Sequence, residues 1–229
     1  MEQTLPRVMI AGTGSGCGKT TVTCAVLKAL AERGLQVGAF KCGPDYIDPM
    51  FHSSILDSPS TNLDAFFFPE NTLKALMAKN GAGMDICVVE GVMGFYDGLG
   101  IDSPRASSYD TAKQTETPVI LVLNAKGAAL SLLAVIRGFL EFLPENLIAG
   151  VILNRCSAGI YPKLAEMIRK HFANRIRPLG FLPDMPDCSL ESRHLGLVTA
   201  AEVADLSERV KKLSEQDREE HTSELQSRI

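Results

Sequence analysis

The chain has 229 residues, 45% hydrophobic and 22% charged, with 23 Lys and Arg against 27 Asp and Glu. This is the profile of a globular domain with a real core, and it excludes a disordered, collagen-like or low-complexity chain. A formal net charge of −4 argues against a basic surface for nucleic acid. The longest apolar stretch, 118–143, is broken by Lys126, Arg137 and Glu141, so a membrane-crossing helix is not expected. A strand and a glycine-rich loop begin almost at once, leaving no room for a signal peptide. The six cysteines form no C-x-x-C pair and have no local His partner. The expectation is reduced thiols in a cytoplasmic protein rather than a zinc site.

In chain order, Arg7–Ala11 reads as a strand, followed by a loop over Gly12–Gly18 and a helix from Lys19 to Arg33. Val22, Ala25, Val26, Ala29 and Leu30 give that helix one core stripe, and Gly34 is its stop. Val37–Lys41 is a second strand, Asn71–Asn80 a helix capped near Asn71 or Thr72, and Ile86–Glu90 a strand ending in a carboxylate. Val119–Asn124 and Leu147–Asn154 read as strands buried on both faces. Ala129–Phe142 and Ile160–Phe172 are helices, and Pro178–Leu182 is the last strand. Apolar strands alternating with helices predict an α/β fold, a doubly wound and mainly parallel sheet covered on both faces. The segments 43–70 and 91–117 are long for connections and are candidate functional loops. After about Leu213 the apolar period stops, which sets a domain over 1–213 and a polar tail over 214–229. The run EEHTSELQS (219–227) resembles a translated sequencing-library adaptor, the alternative being an ordinary disordered terminus.

The loop Gly12, Thr13, Gly14, Ser15, Gly16, Cys17, Gly18, with Lys19, Thr20 and Thr21 after it, lies between a predicted strand and a predicted helix. That context is the one a phosphate-binding loop requires: small residues let backbone N–H groups face a triphosphate, and the helix N-terminus adds partial positive charge. Lys19 would neutralise β- and γ-phosphate oxygens and Thr20 would hold Mg²⁺. The loop is a variant, because the usual first glycine falls at Thr13 and Gly12 stands one place earlier. A dinucleotide fingerprint fails, since neither Cys17 nor Lys19 supplies its third glycine. Asn154-Arg155-Cys156-Ser157 lacks the Asp of a guanine-reading motif, so adenine is favoured, with the Asn154 amide as a base contact. Glu90 at a strand end is placed to bind Mg²⁺ directly or through water. Lys41, at the end of the second strand, is placed to steady a transferring phosphoryl group. Asp45 and Asp48 could share metal or substrate work, or simply cap a turn entering a short helix; the residues leave that open.

The segments AGTGSGCGKTT (11–21), FKCGPDYIDP (40–49), NLD (62–64), EGVMGFYDG (90–98), GVILNR (150–155), LGFLP (179–183) and ESRHLGL (191–197) occur in one order at fitting distances. Over about residues 5–213 they resemble the ATP-dependent amidation domain of the cobyrinate a,c-diamide synthase family and, more distantly, dethiobiotin synthetase. The resemblance implies that ATP phosphorylates the a- and c-carboxylates of a cobalt-containing corrin and that ammonia then forms the amides. It implies ATP and Mg²⁺ at Lys19, Thr20 and Glu90, and Lys41 on the transferring phosphoryl. It implies Asp45 and Asp48 at metal or acyl phosphate, and Tyr46 and Asp97 on the substrate side. His194 is expected over the nucleotide or at a domain interface, or as a packed residue. The family adds a glutaminase domain with a Cys nucleophile, which nothing after Gly196 here could encode. None of the six cysteines takes that role, and this chain is expected to use free ammonia. A homodimer is also expected. Other readings are a different tetrapyrrole substrate (hydrogenobyrinic acid or nickel sirohydrochlorin), a regulatory P-loop ATPase, and dethiobiotin synthetase itself. Gly14, where partition ATPases carry a signature Lys, argues against the second, and GPDYIDP and RHLGL against the third.

Overall fold

The computed structural model describes residues 5–173 and 175–184. The expectations about His194, Cys188, the ESRHLGL segment and the boundary at 213 lie outside these residues. Seven strands form one sheet: β1 (Arg7–Gly12), β2 (Val37–Cys42), β3 (Thr61–Leu63), β4 (Ile86–Glu90), β5 (Val119–Asn124), β6 (Ile148–Asn154) and β7 (Arg177–Leu182). Their order is β3-β2-β4-β1-β5-β6-β7, and every neighbouring pair is parallel. From β1 the chain winds outward to β2 and β3, returns to β4 beside β1, then crosses over to β5, β6 and β7. The winding reverses at β1, and in such sheets the ligand crevice lies beyond the carboxyl ends of the strands at that place.

Side-chain alternation along the strands feeds two cores. Met9, Ala11, Cys87 and Val89 point into one, with Leu73, Met77, Ile136, Leu140, Leu164 and Ile168. Those partners come from α3 (Glu70–Asn80), α5 (Ser131–Glu141) and α6 (Tyr161–Phe172). Tyr109 and Ala112 of α4 (Ser108–Gln114) join the same core. Ile10, Val88 and Val122 point the other way, against Val22, Leu27 and Leu30 of α1 (Lys19–Glu32). A strand feeding both cores must be apolar at successive positions, which is why these strands read as continuous apolar runs.

The structure differs from the expectation in three places that shape the site. Segment 43–70 is not a loop: it contains α2 (Ile47–Leu56) and the edge strand β3. Pro49 hides this helix in the sequence, but it sits in the first turn, where a missing N–H costs nothing. Helix α2 packs on α1, with Phe51 and Ile55 against Cys24; of the expected stripe Val22, Ala25 and Leu30 are buried and Val26 and Ala29 half-buried, while Thr23, Cys24 and Leu27 are buried in addition. Helix α3 starts one residue early, at a Pro69 cap with no side-chain hydrogen bond, so Asn71 and Thr72 lie inside it. Segment 91–117 contains α4, and its first part is tied to β1: the N–H of Gly91 donates to the Ile10 carbonyl (2.9 Å) and that of Phe95 to the Gly12 carbonyl (2.8 Å), with the Phe95 ring fully buried.

Candidate functional site

The phosphate loop leaves β1 at Gly12 and enters α1 at Lys19. Gly18 has φ of +100°, and a Cβ there would fall 2.0 Å from the Asn154 amide nitrogen, so both conformation and space require glycine. Asn154 is buried, and its Nδ2 donates to the Cys17 carbonyl (2.9 Å). The structure thus places Asn154 as a brace under the loop, with one of its amide hydrogens used there and the second, with the carbonyl oxygen, left for the base contact expected from the sequence. Gly14, Ser15 and Gly16 stand at the outer side of the loop, Ser15 and Gly16 exposed, while Cys17 is buried. Lys19 reaches back across the loop, donating from Nζ to the Gly14 carbonyl (3.0 Å). Burial, chiefly, lowers its pKa. A partly desolvated ammonium of this kind gains when phosphate oxygens arrive. Thr21 follows on α1, half-buried.

The carboxyl ends of β2 and β4 lie side by side, Lys41 paired in register with Glu90. The Glu90 carboxylate is fully buried and shared among three elements. Its Oε1 accepts from Thr20 Oγ1 of α1 (2.7 Å) and from Lys41 Nζ of β2 (3.1 Å), and its Oε2 lies 2.7 Å from His52 Nε2 of α2. Burial alone would raise the Glu90 pKa. Lys41, His52 and Thr20 overcome this and hold it well below the usual carboxylate range. Lys41 is equally enclosed: Nζ also donates to the Gly91 carbonyl (3.0 Å) and pairs with Asp48 Oδ2 (2.5 Å), while Asp45 Oδ2 is 3.9 Å away. Burial disfavours its charge, but Glu90 and Asp48 outweigh that and raise its pKa. Its three N–H donors are therefore all engaged.

One ammonium cannot satisfy three carboxylates. Asp48 is the surplus group: burial, then repulsion from Glu90, push its pKa from 3.8 up to about 7, despite its pairing with Lys41. Asp45 has a structural role on one oxygen, since Oδ1 accepts from the N–H groups of Ile47 (2.8 Å) and Asp48 (3.3 Å) and so caps α2. Tyr46, 80% exposed, and Asp97, also exposed, lie outside this cluster. Asp97 Oδ2 accepts from the Gly94 N–H (3.0 Å) and closes a turn of the 91–98 loop. The structure thus brings together Lys41, Asp45, Asp48, Glu90 and Thr20, with Lys19 close enough to feel the Lys41 and Glu90 charges. It sets Tyr46 and Asp97 on the surrounding loops.

The sequence model of the CobQ/CobB/MinD/ParA nucleotide binding domain family matches residues 8–198. The chain belongs to this family. Among curated proteins it is 44% identical over 208 residues to a cobyrinate a,c-diamide synthase of Clostridium acetobutylicum, which spans 91% of this chain and 47% of that protein. It is 44% identical over 194 residues to the enzyme of the same name from Salmonella typhimurium, covering 85% of this chain and 42% of that one. The chain therefore spans a little under half the length of these relatives. Among solved structures, chloroplast FtsY from Physcomitrella patens superposes with a TM-score of 0.57 at 14% identity, covering 92% of this chain and 66% of that one. The cell division protein FtsY from Thermotoga maritima gives 0.55 at 12% identity, covering 92% and 69%. These two likenesses bear on the fold alone. They agree with the doubly wound sheet expected from the sequence.

His52 is not among the candidates from the sequence, and Asn62 stands there only within the NLD segment, with no role. His52 is buried against Glu90. Its signal is the i, i+4 spacing from Asp48, visible only once α2 is recognised as a helix. Asn62 of β3 donates from Nδ2 to the carbonyls of Gly43 (2.8 Å) and Asp45 (2.7 Å), fixing the turn that carries Asp45.

Lys41→Met leaves Glu90 and Asp48 buried without their ammonium and is expected to cost roughly 3–5 kcal/mol in urea unfolding. Lys19→Ala, by contrast, should leave stability nearly unchanged and weaken nucleotide binding roughly 10- to 100-fold in a fluorescent-nucleotide titration. Asp48 makes a prediction about pH. Between 3.8 and about 7 the native protein holds a proton on this group that the unfolded chain has lost. Its contribution therefore makes stability fall as pH rises across that window, and Asp48→Asn removes that slope. Parallel stability–pH curves for the two proteins would contradict this.

Proposed function

We propose that this domain uses ATP to phosphorylate the a- and c-carboxylates of cobyrinic acid, each acyl phosphate then being converted to an amide by ammonia. The observation that carries the reading is the 44% identity to a cobyrinate a,c-diamide synthase over 91% of this chain. It is supported by the meeting of phosphate loop, buried lysine and carboxylates at one sheet edge. A carboxylate at neutral pH is a poor electrophile, and its charge repels a triphosphate. In the reaction a carboxylate oxygen attacks the γ-phosphorus and ADP departs. Ammonia adds to the acyl carbon, phosphate leaves with the C–O electron pair, and a proton is lost to water. Ammonia is supplied from glutamine by a glutaminase domain, which the family resemblance places after the segment corresponding to this chain.

The residues divide the work as follows. The backbone N–H groups of Gly14–Thr21 and Lys19 hold the phosphates. Lys41 opposes the negative charge gathered where carboxylate and γ-phosphate meet, a mainly electrostatic contribution. With its donors all engaged, Lys41 must exchange a partner to touch a phosphoryl oxygen, and Asp48 is the carboxylate held least favourably. Mg²⁺ fits the donor set. The cluster carries more carboxylate than Lys41 can neutralise, the Thr20 hydroxyl lies against Glu90, and Mg²⁺ is commonly held by one or two protein oxygens plus phosphates and water. Thr20 and Glu90, with Asp45 or Asp48, would hold it, and it would supply charge neutralisation on the phosphates. Tyr46 and Asp97 face the corrin from the loops. The protein works in the cytoplasm.

Incubating the protein with cobyrinic acid, ATP, Mg²⁺ and ammonium, with Lys19→Ala as control, tests the reading by mass spectrometry. Product carrying one or two amides, absent from the control, is expected. No amide from a protein that binds ATP would overturn it. Parallel reactions on hydrogenobyrinic acid and nickel sirohydrochlorin would then show whether another ring is amidated.

A further inference from the structure

His52 takes no part in the assignments above, yet it is fully buried and contacts the carboxylate at the centre of the site. Its ring is held from both sides. Nε2 lies 2.7 Å from Glu90 Oε2, and Nδ1 lies 3.2 Å from Ser60 Oγ, in the segment leading into β3. Ser60 is itself fixed: its Oγ contacts the Ala39 carbonyl of β2 (3.3 Å), and its N–H donates to Ser53 Oγ on α2 (3.1 Å). A buried histidine so clamped has one orientation available, and with Glu90 ionised its Nε2 carries the proton. The effect falls on Glu90. Oε2 is occupied from the α2 side, so the plane of the carboxylate is set, and Oε1 is turned toward Thr20 and Lys41.

We propose that His52 is a positioning residue: the Ser60–His52–Glu90 chain holds the Glu90 carboxylate so that Oε1, beside the Thr20 hydroxyl, is presented to the divalent cation that accompanies the nucleotide. This rests on the reading of Thr20 and Glu90 as the cation's protein ligands, but not on the corrin substrate. Residues behind a metal ligand fix its direction rather than touch the metal, and their loss costs roughly 10- to 100-fold in metal affinity. Without His52, Glu90 can rotate toward Lys41 alone, and the buried imidazole site is left vacant. Among the described residues no hydrogen bond or ion pair joins His52 to the phosphate loop, so affinity for nucleotide without metal is expected to be unchanged.

The test measures two affinities in the same proteins: Mn²⁺ binding in the presence of ADP, by electron paramagnetic resonance, and ADP binding with EDTA. In His52→Ala the Mn²⁺ affinity is expected to fall roughly 10- to 100-fold while metal-free ADP affinity stays within about twofold. His52→Gln, whose side-chain amide can still donate toward Oε2, should recover most of the loss. Ser60→Ala, which keeps the ring but frees Nδ1, should fall between. In a Glu90→Gln background, His52→Ala should have no further effect on Mn²⁺. Equal losses of Mn²⁺ and ADP affinity, no recovery in His52→Gln, or additivity with Glu90→Gln would overturn the proposal. A wild-type protein that shows these affinities but forms no corrin amide would remove the substrate assignment and leave the role of His52 standing on its own data.

Discussion

Glu90 is a carboxylate placed at the end of a central strand with no exposure to water. An ion in that position is tolerated only when its charge is met at short range by donors that cannot drift away. Lys41 meets it from the neighbouring strand, Thr20 from the first turn after the phosphate loop, and His52 from a helix packed over the same edge. Three successive elements, α1, β2 and α2, are thereby bound to one group distant from them in the chain. The parallel register of β2 on β4 sets Lys41 opposite Glu90, and the reversal of winding at β1 brings the phosphate loop to the same edge.

This arrangement is rigid and electrically unbalanced in one region. Lys41 is shared by Glu90, Asp48 and, more distantly, Asp45. Burial, and then repulsion from Glu90, raises the Asp48 pKa. A site poised in this way keeps a lysine charged in a place shielded from water and, in the proposed function, would take a divalent cation. Both properties suit the transfer of a phosphoryl group between two anions, where fixed charges do most of the work and little reorganisation is needed. Loops fixed to the sheet surround the cluster: Asn154 braces the phosphate loop, and Phe95 anchors the start of the 91–107 segment in the core.

The alternation of apolar runs with amphipathic stretches made the sheet and four of its helices legible, with strand ends within a residue, because buried parallel strands must be apolar throughout. The positions of Lys19, Thr20, Lys41 and Glu90 were legible because each lies at the end of a strand or directly after a glycine-rich turn. Helix α2 was not, since Pro49 and the polar run His52–Ser54 obscure its period, and His52 was lost with it. Strand β3 was not legible because three residues carry no periodic signal, and its pairing with β2 is a tertiary event. Asn154 stands at a strand end, as the sequence indicates, but its bracing of the phosphate loop depends on the missing side chain at Gly18, a close approach visible only in three dimensions.

The central claim is that the carboxylate itself takes the phosphoryl group before ammonia arrives. Cobyrinic acid labelled with ¹⁸O in its carboxylates, incubated with the protein, ATP, Mg²⁺ and ammonium, tests it most directly. The account predicts one ¹⁸O in inorganic phosphate for each amide formed, read by mass spectrometry or by the isotope shift in ³¹P resonance. Amide formation accompanied by unlabelled phosphate would contradict it.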